Sequence, residues 1–206
     1  MDWIGITGMM GAGKTTVSRT IQGLGYPVAY ADEVARSVLE PGTEGLSEVV
    51  SAFGSEVLKE DKTLDREALA KKVFGNRENL LQLEKITHPR IQAKVRDLQE
   101  EFKRRGAKLG FYDVPLLFEK NLEARFDTIV CVVADDGLVK ERLKKRESWS
   151  DEEISSRLSH QLSQSVKEAG SQYVIHNNTD LEGLKVKVQS LINDLLIDPK
   201  KNPHRG

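Results

Sequence analysis

Residues Gly8 to Thr15 read G-M-M-G-A-G-K-T, the spacing G-x-x-x-x-G-K-[ST] of a phosphate-binding loop. Glycine lets successive backbone N–H groups turn inward around phosphate oxygens. The N–H groups of Gly8, Met9, Met10, Gly11, Ala12 and Gly13 are therefore candidate phosphate contacts, with Thr16 beside them. Lys14 is placed to reach the terminal phosphates, and the Thr15 hydroxyl to ligate Mg²⁺. The motif needs a strand before it and a helix after it. The apolar run Trp3–Thr7 and a helical pattern from Lys14 to about Leu24 supply both. The helix adds the positive end of its dipole to the anion site. These residues predict a nucleoside triphosphate ligand.

Other residues could act on that phosphate. Asp32 follows a second apolar run, where open parallel sheets place ligand chemistry. It reads either as the acceptor of a proton from a hydroxyl or as the N-cap of a helix from Glu33 to Leu39. Asp113 ends the run Leu109–Asp113, the usual position of a carboxylate on the metal side of such a loop, or else it caps a strand. Arg142 and Arg146 lie four apart, hence on one helix face, and planar guanidinium groups suit phosphate. On their own they read equally as a solvated face.

The elements that must hold these groups alternate. Strands are expected at Trp3–Thr7, Pro27–Ala31, Lys108–Val114, Thr128–Val133 and Gln172–Ile175, separated by helical stretches. This pattern predicts an α/β fold, a five-stranded parallel sheet flanked by helices. The second and third strands stand about seventy residues apart, more than one crossover helix needs. Helical patterns at Glu44–Phe53, Asp65–Phe74 and Arg77 to about Arg105 fill that gap and read as an inserted lobe, with Pro89 expected to kink or divide the last. A single domain is expected: a core of about 1–33, 106–139 and 170–197, a helical insertion of about 34–105, and a charged, mobile lid of about 140–169. The tail Asp198–Gly206 reads as frayed.

The chain has 206 residues, 38% of them hydrophobic and 31% charged, with a formal net charge of −1. That balance supports a real core and argues against nucleic acid or a membrane surface as partner. No run has the length of a membrane span, and no signal peptide is visible. Cys131, the single cysteine, lies in an apolar run and excludes an intramolecular disulfide, consistent with a cytoplasmic protein. The histidines show no zinc spacing. An N-K-x-D guanine-reading motif, expected of a GTPase, is absent from the sequence. A small phosphate-loop chain with an inserted lobe and a charged flap fits a small-molecule kinase, in which closure excludes water.

Several motifs stand in one order: Gly8–Thr15, then Asp32-Glu33-Val34-Ala35-Arg36, Glu40-Pro41-Gly42, Phe53-Gly54, Leu64-Asp65-Arg66 and Val73-Phe74. Leu83-Glu84-x-Ile86-x-His88-Pro89 and Val114-Pro115-Leu116-Leu117-Phe118-Glu119 come next. Arg142-Leu143-x-x-Arg146, Gln161, Lys167 and Val174-Ile175-x-Asn177 complete the series. From residue 3 to about 190 the chain resembles the dephospho-coenzyme A kinases. The resemblance implies a P-loop NTPase fold like that of nucleoside monophosphate kinases, with an acceptor-binding lobe and a lid. It implies ATP and Mg²⁺, and transfer to the ribose 3′-hydroxyl of dephospho-coenzyme A, the last step of coenzyme A synthesis. Lys14, Asp32, Arg142 and Arg146 would act in transfer, Thr15 and Asp113 at the metal, and Asp32, Arg66, His88 and Leu117 on the acceptor. The partners expected are these small molecules, in a monomer or weak homo-oligomer.

Three positions depart from the family pattern. Tyr30 stands where many members have Asp, Glu147-Ser148-Trp149 follow Arg146 where glycine is usual, and Ser171-Gln172 replace Ala-Asp. The remaining readings are a kinase for another nucleotide or metabolite, and a nucleotide-binding module without transfer chemistry.

Overall fold

A computed structural model describes residues 1–197 and 199–204. Among these residues the sheet has five strands, all parallel: β1 (Asp2–Gly8), β2 (Val28–Tyr30), β3 (Leu109–Asp113), β4 (Thr128–Val133) and β5 (Tyr173–His176). Their order across the sheet is β2-β3-β1-β4-β5, so the first strand made is the central one. In register, Ile6 faces Asp113 on one side and Val130 on the other. Every residue of β3 and β4 is buried, as expected of parallel strands covered on both faces.

Two compact units are distinguishable, Met1–Tyr30 with Phe102–Gly206, and Ala31–Glu101. In the first, α1 (Lys14–Gly23) and α9 (Leu181–Ile197) present Val17, Ile21, Leu184, Val188 and Ile192 to the strands, where they pack with Ile4, Ile6, Phe111, Val130 and Val132. The spacing of these helix residues is the stripe that an amphipathic helix buries. Three short helices follow β4: α6 (Asp136–Glu147), α7 (Asp151–Leu158) and α8 (Gln164–Ala169).

The second unit contains α2 (Ala31–Ser37), α3 (Glu44–Phe53), α4 (Arg66–Val73) and most of α5 (Arg77–Arg104). Val38, Leu39, Leu46, Val49, Phe53, Val57, Leu64, Leu69 and Ile86 form its core. Thr43 caps α3 through the Leu46 N–H, and Asp65 caps α4 through the Ala68 N–H. Pro89 does not divide α5, which runs unbroken from Arg77 to Arg104. The Arg90 guanidinium donates to the Ile86 carbonyl at 2.7 Å, adding a bond in the turn that proline weakens.

Three expectations change. Strand β2 stops at Tyr30, and Asp32 lies in the first turn of α2 instead of capping it. The expected lid is not only a charged surface: within it Leu143 and Ile154 are buried, packed with Val139 just before it and with Met10, Trp149 and Leu158 around them. The tail is not frayed over 199–204. Asn202 is buried, its amide donating to the carbonyls of Glu123 and Phe126, while Thr128 Oγ1 donates to the Lys200 carbonyl. Asp198, Arg205 and Gly206 lie outside the described residues.

Candidate active site

The loop between β1 and α1 has the conformation its glycines allow. Gly8 and Gly13 have φ of 145° and 93°. A Cβ at Gly8 would strike the Val132 carbonyl, and one at Gly13 the Asn177 amide, so both positions require glycine for space as well as conformation. Gly13 stands at the N-cap of α1 without a side-chain cap, leaving that helix end to a ligand.

Lys14 Nζ donates to the carbonyls of Gly8 and Met9 at 3.0 and 3.1 Å. Burial lowers its pKa from 10.5, and the positive charges of Lys167 and Arg146 act in the same direction. The carboxylate of Asp113 opposes them. Asp113 is buried at the end of β3 and accepts a 2.8 Å bond from Ser18 Oγ. Thr15 is exposed in the first turn of α1.

On the other side of the loop, Asn177 follows β5, and its amide donates to the Ala12 carbonyl at 2.8 Å. Arg142, on α6, donates from Nη2 to the Asn177 carbonyl at 2.9 Å, while its Nη1 is buried without a partner among the described residues. Gly11, Gly13, Thr16, Arg142, Arg146 and Asn177 line part of one open cleft of about 550 Å³. Arg146 is largely exposed and pairs with Glu147 at 2.6 Å. The cleft thus combines loop backbone and two guanidinium groups, a suitable surface for a polyphosphate and its base.

The first unit therefore brings together Lys14, Thr15, Asp113, Arg142 and Arg146 around one loop. Leu117 does not join them. It is fully buried, with its Cδ1 against Gly5, and supports β1 from within the core. Asp32, Arg66 and His88 belong to the second unit, all three exposed. Arg66 begins α4 after its Asp65 cap, and His88 Nε2 lies 3.9 Å from Glu84. The side chain that fills the turn at Pro89 is Arg90, through its bond to the Ile86 carbonyl.

Three groups received no role from the sequence, although Gln161 and Lys167 stand in the family series. Lys167 is wholly buried. Its Nζ lies 2.7 Å from Glu119 Oε1 and donates to the Pro115 carbonyl at 3.1 Å. Burial raises the Glu119 pKa, but Lys167, the Leu162 N–H and its own backbone outweigh that and hold the carboxyl below its usual 4.5. Ser18 gave no signal beyond its place one turn after Lys14. Gln161 accepts the Met10 N–H at 3.1 Å through Oε1. Cys131 is a core residue whose thiol is pushed up to about 12, chiefly by burial and further by Glu168.

Comparison with known proteins gives the family. The family model described as dephospho-CoA kinase matches residues 2–183. The dephospho-CoA kinase of Bdellovibrio bacteriovorus is 42% identical over 192 residues, 93% of this chain and 95% of that protein. Among solved structures, TT1252 from Thermus thermophilus has a TM-score of 0.78 at 34% identity, covering 94% of this chain and 97% of its own. The dephospho-CoA kinase from Campylobacter jejuni has a TM-score of 0.72 at 25% identity, covering 94% and 96%. A phosphate loop completed by α6 and the turn after β5, on a fold shared with these proteins and in a sequence aligned almost throughout, places the chain in the dephospho-CoA kinase family.

Proposed function

We propose that this chain transfers the γ-phosphoryl group of ATP to the ribose 3′-hydroxyl of dephospho-coenzyme A, in the cytoplasm. The observation that carries the reading is the half-buried Lys14 ammonium at the loop mouth, bonded to the Gly8 and Met9 carbonyls, opposed by the Asp113 carboxylate and flanked by the cleft of Arg142 and Arg146. A cation already partly stripped of water gains strongly from a phosphate that replaces its contacts with the Gly8 and Met9 carbonyls.

In the reaction a bond forms between the acceptor oxygen and the γ-phosphorus as the bridging bond to the β-phosphate breaks. ADP leaves with that bond's electrons. The acceptor's proton passes to Asp32, which stands in the first turn of α2, and then to solvent. The transition state is loose, so orientation of the hydroxyl matters more than basicity. Lys14 follows the β- and γ-oxygens, Arg142 turns its unpartnered Nη1 to phosphate, and Arg146 exchanges Glu147 for phosphate on closure. Residues 34–105 hold the acceptor, with Arg66 and His88 as its polar contacts, and residues 140–169 carry the lid, with α7 as its moving part and the segment from Gln161 through α8 as its fixed root.

Mg²⁺ suits the oxygen donors available. Thr15 would offer a hydroxyl and Asp113 a carboxylate, with phosphate oxygens and water as further ligands. Held there, the ion would supply positive charge against the negative charge of the phosphates.

The test is mass analysis after incubation with ATP, Mg²⁺ and dephospho-coenzyme A. A gain of one phosphoryl group on the 3′-oxygen is expected. Activity on nucleoside monophosphates or another metabolite, without this gain, would replace the acceptor assignment.

A further inference from the structure

We infer that Gln161 is a catalytic residue whose carboxamide NH₂ donates to a non-bridging oxygen of the phosphoryl group in flight. Gln161 lies between α7 and α8, and its Oε1 accepts the Met10 N–H at 3.1 Å. A backbone N–H can only donate, so the oxygen must face the loop and the NH₂ must face away from Met10. Among the described residues that NH₂ has no hydrogen-bond partner. Covalent geometry puts its nitrogen about 2.2 Å from Oε1, so two donors stand at the mouth of the phosphate loop.

The surroundings hold this amide in place. The next residue, Leu162, donates its N–H to Glu119 Oε1 at 3.0 Å. The same oxygen lies 2.7 Å from Lys167 Nζ, which also donates to the Pro115 carbonyl. Thr7 Oγ1, on β1, donates to that carbonyl at 3.3 Å. Gln164 Oε1 accepts the Ala134 N–H at 3.2 Å. The connection between α7 and α8 is thus tied to the ends of β1, β3 and β4, the frame that carries the loop itself. A donor fixed in this way loses little reorganisation energy as charge moves onto the phosphoryl oxygens. No proton is transferred. The NH₂ stabilises negative charge while the bond to the β-phosphate oxygen breaks and the bond to the acceptor oxygen forms.

The inference rests on the kinase reading above, and two variants test it. Gln161→Glu keeps an oxygen for the Met10 N–H but removes the NH₂. Gln161→Ala removes both. The expected result in both is a kcat lower by on the order of 10²-fold, with the ADP affinity of Gln161→Ala within about threefold of the parent, because ADP lacks the phosphoryl group concerned. Binding of a non-hydrolysable ATP analogue should weaken relative to ADP. Near-normal kcat in Gln161→Glu, or an equal loss of ADP and analogue affinity in Gln161→Ala, would overturn the inference and leave the amide as a brace for the loop. If the parent protein fails to phosphorylate dephospho-coenzyme A, the acceptor assignment falls. The ratio of analogue to ADP affinity in the variants still decides the role of Gln161.

Discussion

Ser18 Oγ holds Asp113 Oδ2 at 2.8 Å, joining the helix after the phosphate loop to the end of the neighbouring strand. Both side chains are buried. A hydrogen bond to a buried carboxylate fixes its orientation and lowers the cost of keeping it charged. Ser18→Ala should therefore destabilise the protein by about 1–3 kcal/mol, measured by urea denaturation, and should weaken Mg²⁺-dependent nucleotide binding. An unchanged denaturation midpoint with unchanged Mg²⁺ dependence would mean that Asp113 is oriented by its other contacts.

Lys14 links the loop to pH. Its pKa in the free protein lies below 10.5, mainly through burial. Between that lowered value and 10.5 the unfolded chain holds this proton more tightly than the folded one. The penalty for the buried charge is full at lower pH and is relieved as pH rises through this window. Phosphates should restore the proton, so nucleotide binding at alkaline pH should take up protons. Calorimetry in buffers of different ionisation enthalpy should detect the uptake, and Lys14→Met should abolish it. In the same site Lys14→Ala should lower kcat by on the order of 10² or more.

Asp32 sits where a carboxylate also favours the helix, in the first turn of α2. Asp32→Asn should cost less than about 1 kcal/mol of stability, while lowering turnover by on the order of 10²–10⁴-fold. Melting curves and steady-state rates on the same preparation separate the two. A destabilised variant whose folded fraction turns over normally would leave Asp32 with a structural role alone.

The helices after β4 should differ in hydrogen exchange. α7 carries one buried residue, Ile154, and many exposed charges, whereas α8 is anchored by Lys167 on Glu119. Local opening is easiest where few apolar contacts form. In the free protein α7 should exchange quickly and α8 slowly, and an ATP analogue with acceptor should protect α7. Arg146→Ala should reduce that protection with little change in melting temperature. Equal rates in α7 with and without ligands would show a fixed surface helix.

Much of this arrangement was legible in the residues. The boundaries of β4 and α3 follow directly from apolar runs and turn residues, and the loop motif located β1 and α1. Local pattern failed where a partner distant in sequence decides the outcome. Lys167 sits in a charged stretch and reads as solvated, yet Glu119 and Pro115 receive it in the interior. Asn202 lies within a polar tail, but its amide satisfies the Glu123 and Phe126 carbonyls just before β4. Leu117 belongs to a motif near the site, and only the close approach of Gly5 shows that it packs beneath. Asp32 was misplaced for a local reason: a three-residue strand passes straight into a helix, with no turn residue to mark the change.

The strand order also bears on synthesis. β1 emerges first from the ribosome, yet its partners in the sheet are β3 and β4, more than a hundred positions later. Until Leu109–Asp113 has been made, the apolar strand that carries the phosphate loop has both edges unpaired, and one edge stays open until Thr128–Val133 follows. The segment made in the interval, Ala31–Glu101, has an apolar cluster of its own and can condense while β1 waits. The nascent chain should therefore pass through a stage with a folded middle and an unprotected beginning. At that stage chaperone binding or aggregation would compete with closure of the sheet.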